Sequence, residues 1–355
     1  MFKSLSIENY RGFRKLSLEP LERVNLIVGS NDVGKTALLE GIFLLIGETN
    51  LSLVTRINAF RGLTTLQGDP DSIGEWLWTP LFHRFETEKA IKIEGKTTKD
   101  IKRTLRLELV PRTSAVVSPP DGKVRTASNG FSSQALKAEY SDDSGKRHST
   151  IMLFDEAGML RIEPLPSPPS FPGYFMSARG AVTLEEDAKN FGKLEVEEQS
   201  YDFVRVLQII EPRLTRVSTI LGAGGAMLWG DVGLGRMLPL ALLGDGLGRF
   251  SSLMLKIATA RRGVVLVDEI ENGLYHAVIE KAWTAIAEAA RLFDVQLFAT
   301  THSWECVVAA HQSFEDTGRY DFRLHRLERI GDTISALGYD QQTLAAALKA
   351  GLEVR

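Results

Sequence analysis

The 355-residue sequence contains a single cysteine, Cys306. That excludes an internal disulfide framework and fits a reducing compartment, so a cytoplasmic location is expected. Long apolar runs are also missing. The longest near the N-terminus, "ALLEGIFLLIG", is broken by Glu40 and is too short to span a bilayer, so no membrane anchoring is expected. There is no excess of basic charge: 42 Lys and Arg stand against 45 Asp and Glu, a net charge of −3. A generally basic nucleic-acid coat is therefore excluded, although a local patch is not. The sequence also lacks H-E-x-x-H, Cys–His zinc spacing, G-x-S-x-G and the base-recognition motif N-K-x-D. What remains is an ordinary globular composition, 44% hydrophobic and 25% charged, long enough for one large or two medium domains.

Patterning along the chain predicts strands over residues 2–8, 16–18 and 24–28 ("VNLIV"), then a glycine-bearing loop and an amphipathic helix over about 35–46. Residues 91–163 read as strands, interrupted by a Pro-, Ser- and Gly-rich loop, and "PLPSPPSFPG" marks a boundary. "YFMSARG" reads as a strand into a loop. Residues 184–221 read as helical. Strands and helices then alternate to the end: "GVVLVDE", "AVIEKAWTAIAEAARLF", "VQLFATT", a helix from Ser303, a strand pair near 322–338 and a short terminal helix. Such alternation predicts an α/β fold with a mixed or parallel sheet core and a β-rich lobe in the first half.

Three motifs carry chemistry. "GSNDVGKT" (Gly29, Ser30, Asn31, Asp32, Val33, Gly34, Lys35, Thr36) fits G-x-x-x-x-G-K-[ST] between a strand and a helix, the context that defines a P-loop. Its backbone N–H groups and the helix N-terminus suit phosphate oxygens, Lys35 suits the β- and γ-phosphates, and the Thr36 hydroxyl suits Mg²⁺. "GVVLVDE" ends an apolar strand in two acids. Asp268 is placed to hold Mg²⁺, and Glu269 to orient or deprotonate an attacking water. "LFATTHS" ends a further strand at His302, which reads either as a hydrogen-bonding group for the γ-phosphate or water, or as a structural strand-end histidine.

Other features are less determined. "KTTKDIKRTLR" (96–106) sets five cations against Asp100 and reads as DNA-facing or, preferably, as a solvated edge strand. Arg11 and Arg179 read equally as nucleotide-side cations and as surface arginines.

In order, "IENYRGF", "VNLIVGSNDVGKTALLEGI", "GDGLGR", "VVLVDEIENGL" and "FATTHSWE" resemble the ABC-type ATPase heads of the SMC, RecF and OLD group. They look most like the OLD-like stand-alone AAA-family ATPases. The resemblance covers the first fifty residues and about 240–355. It implies a single P-loop NTPase head over 1–355, with a nucleotide-binding core at 1–50 and 240–355, a β-rich lobe at 90–165 and a short helical arm at 184–221. It also implies ATP and Mg²⁺ bound between two copies of the chain. Lys35 and Thr36 would contact phosphates and metal, Asp268 the metal, Glu269 would be the base and His302 the switch histidine. Gly244, Asp245 and Gly246 fall where the second subunit's signature loop belongs. Gly244 stands in place of its serine and Asp245 in place of its first glycine, so a hydroxyl for the partner's γ-phosphate is missing. Asp245 is expected to turn back and cap its own helix near Gly248.

Two further departures stand out. Tyr275 precedes His276 where the group has histidine directly, and no Q-loop glutamine is located, Gln67 being a weak substitute. Only about fifty residues follow His302, too few for a nuclease domain, so no nuclease activity is expected. The expected function is an ATP-dependent homodimeric switch in DNA maintenance or phage defence, with a separately encoded effector. The alternative is a slow or non-hydrolysing ATP-dependent regulatory module for a partner protein.

Overall fold

A computed structural model describes residues 1–354 apart from 64–69, 112–133, 156–158, 179–182, 223–224 and 275–277, and apart from the side chains at 70, 71 and 245. Its first half runs β1 (Phe2–Tyr10), β2 (Phe13–Leu18), β3 (Val24–Val28), α1 (Lys35–Gly47), α2 (Ser52–Phe60), α3 (Pro70–Trp78), β4 (Ile91–Thr97), β5 (Lys102–Pro111), β6 (Gln134–Asp142), β7 (Arg147–Phe154), β8 (Leu160–Glu163) and β9 (Gly173–Met176). The second half runs α4 (Leu184–Val196), α5 (Ser200–Leu207), β10 (Arg216–Gly222), β11 (Gly225–Asp231), β12 (Leu238–Pro239), α6 (Asp245–Thr259), β13 (Val264–Val267), α7 (Ile279–Leu292), β14 (Gln296–Thr300), α8 (Trp304–Asp316), β15 (Phe322–Ile330), β16 (Thr333–Tyr339) and α9 (Gln341–Lys349).

The six-stranded sheet, in the order β16-β15-β3-β14-β13-β9, positions the site. Its pairs β15–β3, β3–β14, β14–β13 and β13–β9 are parallel, and only β15–β16 is antiparallel. β3, β13 and β14 are buried at every residue, as central strands covered on both faces must be. Alternate side chains enter different cores. Leu26, Val265, Leu297 and Ala299 join one with Leu253 of α6, Trp283 of α7 and Val307 of α8. Ile27, Leu266 and Phe298 join the other with α1 and the second sheet.

That second sheet is seven-stranded, in the order β2-β1-β4-β5-β6-β7-β8, and antiparallel throughout. The strands of residues 90–165 are therefore hydrogen-bonded to the N-terminal hairpin. α1 lies between the two sheets, with Leu38 and Ile42 fully buried among Ile7, Ile93 and Leu105. This corrects the expectation of an amphipathic helix: in "KTALLEGIFLLIG" every residue but Thr36 is buried, so apolar side chains are needed on more than one face.

The stretch 184–221 differs from expectation too. Helix ends at Leu207, and the chain then forms β10, paired to β11 in a three-stranded sheet. Val217 packs into the first core, while Arg216, Thr219 and Leu221 are exposed. Both α4 and α5 contribute to the first core, through Phe191, Leu194, Phe203 and Leu207. The basic hairpin at 96–106 joins β4 to β5 inside the sheet, not at an edge. Its cations face carboxylates in the same chain: Lys96 reaches Asp100 at 3.2 Å, Lys102 reaches Glu94 at 2.7 Å and Arg106 reaches Glu108 at 2.9 Å. Arg103 lies over the Phe171 ring, 4.4 Å from its centroid.

Phe298 tests this layering. Truncation to Ala at a fully buried position on the central strand is expected to cost about 3–5 kcal/mol. Urea unfolding should show a lower midpoint at unchanged slope.

Candidate nucleotide-binding site

The parallel alignment of β3, β14 and β13 brings their C-terminal ends to one edge, where a doubly covered sheet opens its binding crevice. The P-loop follows β3. Gly29 has φ +140°, and a Cβ there would lie 2.5 Å from the Leu327 carbonyl oxygen. Gly34 has φ +102°, and a Cβ there would meet the Phe13 ring at 2.8 Å. Both positions therefore require glycine. α1 begins directly after Gly34 with no side-chain cap and no acid in its first turn. Its leading N–H groups and positive dipole end are left for an anion.

Lys35 Nζ donates to the carbonyls of Gly29 at 2.6 Å and Ser30 at 3.0 Å, so the ammonium is drawn back over its own loop. Burial lowers its pKa, against the carboxylates of Asp268, Glu269, Glu271 and Asp32, which raise it. Thr36 Oγ1 lies 3.1 Å from both oxygens of Asp268. A hydroxyl and a carboxylate meeting at the phosphate end of a P-loop are the hard oxygen donors that Mg²⁺ takes from a protein, the rest of its shell coming from water and phosphate. The residues present fit that ion.

Glu269 follows Asp268 in a left-handed conformation, φ 51°. Its backbone N–H donates to Thr300 Oγ1 at 2.8 Å, and Thr300 Oγ1 donates to Asp268 Oδ1 at 2.7 Å. Its carboxylate accepts from Asn272 Nδ2 at 2.7 Å and lies 3.9 Å from His302 Nε2. His302 itself is placed by its backbone N–H, which donates to Glu271 Oε1 at 2.8 Å. Glu269 and His302 are both partly open to solvent.

A cleft of about 820 Å³ unites these groups: Asn31, Asp32, Gly34, Lys35, Thr36, Asp268, Glu269 and His302 line it together. Val33 points the other way, into the core between the sheets, and serves the loop's packing. Ser30 contributes its carbonyl to Lys35. Arg11 also lines the cleft, pairing with Glu40 at 2.8 Å. Burial opposes its charge, but Tyr10 and Glu40 beside it raise its pKa overall.

Gly244 and Gly246 lie outside this cleft, before and within the first turn of α6. Gly244 is exposed at φ +133° with open space around it. Gly246 has a different reason to be glycine: a Cβ would lie 2.4 Å from the Gly273 carbonyl oxygen of its own chain. The helix starts at Asp245, with Gly244 as its N-cap. The Asp245 carboxylate lies outside the described side chains, as do Gln67, Arg179, Tyr275 and His276.

Several participants are not legible in the motifs. Thr300 and Asn272 hold the two acids. Asn272 follows Glu269 by three residues, a spacing that points back in a turn; Thr300 is separated in sequence and comes close only through strand pairing. Glu40 is fully buried and binds Arg61 as well as Arg11, at 2.8 Å each.

Comparison with known proteins agrees with this geometry. Residues 24–307 match the sequence family described as "AAA domain, putative AbiEii toxin, Type IV TA system". The chain belongs to this family. An "ATP/GTP phosphatase" of Helicobacter pylori is 20% identical over 338 residues, covering 86% of each chain. The "DNA replication and repair protein RecF" of Chlorobium phaeovibrioides is 50% identical over 40 residues, 11% of each chain. A crystal structure of an Smc head bound to the C-winged helix domain of ScpA superposes with a TM-score of 0.50 at 12% identity, covering 96% of this chain and 98% of that one. This family member is thus an ABC-type ATPase of the SMC and RecF group, with the P-loop fold that the motif order implies.

Thr300→Val tests the support of the two acids. It removes the hydroxyl that Asp268 and the Glu269 N–H share at similar side-chain volume. ATP turnover should fall by about tenfold or more, the effect of leaving a partly buried polar group unpartnered. Nucleotide affinity should change far less, and a single-turnover assay beside a binding titration separates the two.

Proposed function

We propose that the chain hydrolyses ATP in this cleft and that ATP closes two copies of it face to face. The convergence of Thr36 and Asp268 at 3.1 Å, with Glu269 next in the chain, carries the reading. The P-loop backbone and the uncapped start of α1 bind the phosphates. Lys35 exchanges its contacts with the Gly29 and Ser30 carbonyls for phosphate oxygens. Thr36 and Asp268 would hold Mg²⁺, which when bound neutralises charge on the phosphates. Glu269 accepts the proton of the attacking water as it adds to the γ-phosphorus and the bond to the β-phosphate oxygen breaks. His302 hydrogen-bonds the γ-phosphate or that water. The name of the Helicobacter pylori relative, matched over 86% of each chain, supports nucleoside triphosphate hydrolysis.

In this reading the exposed Gly244 backbone and the start of α6 reach the second copy's nucleotide. Dimer formation then follows from the differential affinity of ATP for closed and open states. The switch serves a separately encoded effector in DNA maintenance or defence. The ion pairs that occupy the 96–106 hairpin make that segment a poor DNA surface. Slow turnover is favoured over fast by two observations: Asn272 ties the Glu269 carboxylate back, and the signature loop offers no hydroxyl at Gly244.

Glu269→Gln keeps the site's shape and removes its base. With ATP and Mg²⁺ the variant should accumulate as a dimer in light scattering, with turnover down by about 100-fold or more. A variant that binds ATP and stays monomeric contradicts the closing of two copies.

A further inference from the structure

One wall of the cleft has no part in phosphate chemistry. Pro80, Phe82, Arg84 and Phe85 line it, in the same cleft as the P-loop and the acidic strand. This segment is docked on the β1–β2 turn. The Arg11 N–H donates to the Leu81 carbonyl at 2.8 Å, His83 Nδ1 lies 2.9 Å from the Arg11 carbonyl oxygen, and Phe82 bridges to Tyr10. Held in this way, Arg84 and Phe85 adopt φ 53° and φ 62° in succession. Two consecutive non-glycine residues in the left-handed region are costly, more so when one is aromatic. Phe85 nevertheless presents its ring to solvent, 67% exposed, at the cleft. A backbone held in a costly conformation thus presents an exposed ring at the cleft, a surface on which a flat ligand ring can stack.

We infer that this wall is the base subsite of the bound nucleotide, with Phe85 stacking on the purine ring. The inference rests on the nucleoside triphosphate reading of the same cleft. It also sets the specificity. The wall offers rings, a proline and guanidinium groups, with no amide or carboxylate to read a base edge. The acids beside it are already engaged: Asp332 pairs with Arg84 at 2.8 Å, and Glu40 has both oxygens taken by Arg61, at 2.8 and 3.1 Å. Stacking tolerates any base with a large π-face, so adenine and guanine are accepted alike and pyrimidines less well.

The experiment is equilibrium binding of ATP, GTP and inorganic tripolyphosphate, each with Mg²⁺, to the wild-type chain, Phe85→Ala and Phe85→Trp. Wild type should bind ATP and GTP within about threefold of each other, and both more tightly than tripolyphosphate. Phe85→Ala should weaken both nucleotides by about tenfold and leave tripolyphosphate unchanged, while Phe85→Trp restores nucleotide binding. Phe85 is exposed, so its removal should spare the fold; an unchanged thermal melt confirms this. Equal ATP affinity in wild type and Phe85→Ala overturns the base subsite and leaves the phosphate site intact. So does a loss that tripolyphosphate shares, or a strong preference of wild type for ATP over GTP. A wild-type chain that binds neither nucleotides nor tripolyphosphate refutes the nucleotide reading itself, and this inference with it.

Discussion

The contact between the Thr36 hydroxyl and the Asp268 carboxylate joins residues 232 positions apart, and the rest of the molecule is arranged to make it. Thr36 comes from the first turn after β3 and Asp268 from the end of β13. Those strands are not neighbours; β14 lies between them. The parallel registers Leu297–Val24 and Val264–Gln296 therefore fix how far each chain travels before it leaves the sheet. β14 is more than a spacer. Its last residue, Thr300, bonds the carboxylate of one acid and the backbone of the next. A slip of one residue in either pairing would exchange the side chains facing the two cores and separate these groups together.

The same contact gathers charge. Asp268, Glu269, Glu271 and Asp32 all act on the Lys35 ammonium, and burial alone would drive it toward neutrality. Burial lowers its pKa, these acids oppose that, and Nζ rests on two carbonyls of its own loop. A phosphate chain entering at the start of α1 replaces carbonyl contacts already made, so little of the loop has to reorganise.

The α/β class, the P-loop and the acidic strand were legible because each is local: a short apolar run, a glycine pattern or a terminal acid pair states its own role. The same holds for β15, β16 and α9, whose start is fixed by a capping box between Asp340 and Thr343. α1 was misjudged as amphipathic because nothing local says that a second sheet covers its outer face. The end of 184–221 was misread because the apolar residues of "RVSTILG" suit either period until β11 pairs with it. Thr300, Asn272 and the Glu40–Arg11–Arg61 cluster depend on neighbours supplied by the fold. Gly246 carries a constraint that its motif does not show: a Cβ there would meet the Gly273 carbonyl of its own chain.

Phosphate release from ATP by the wild-type chain and by Asp268→Asn, with magnesium present and with magnesium chelated, tests the central claim most directly. Asn keeps the size of Asp268 and removes the charge that faces Thr36. The account predicts magnesium-dependent release by the wild type and a fall of about 100-fold or more in the variant, the scale on which removing a charge-stabilising group acts. Equal rates in the two proteins, or release by the wild type that chelation does not affect, would contradict it.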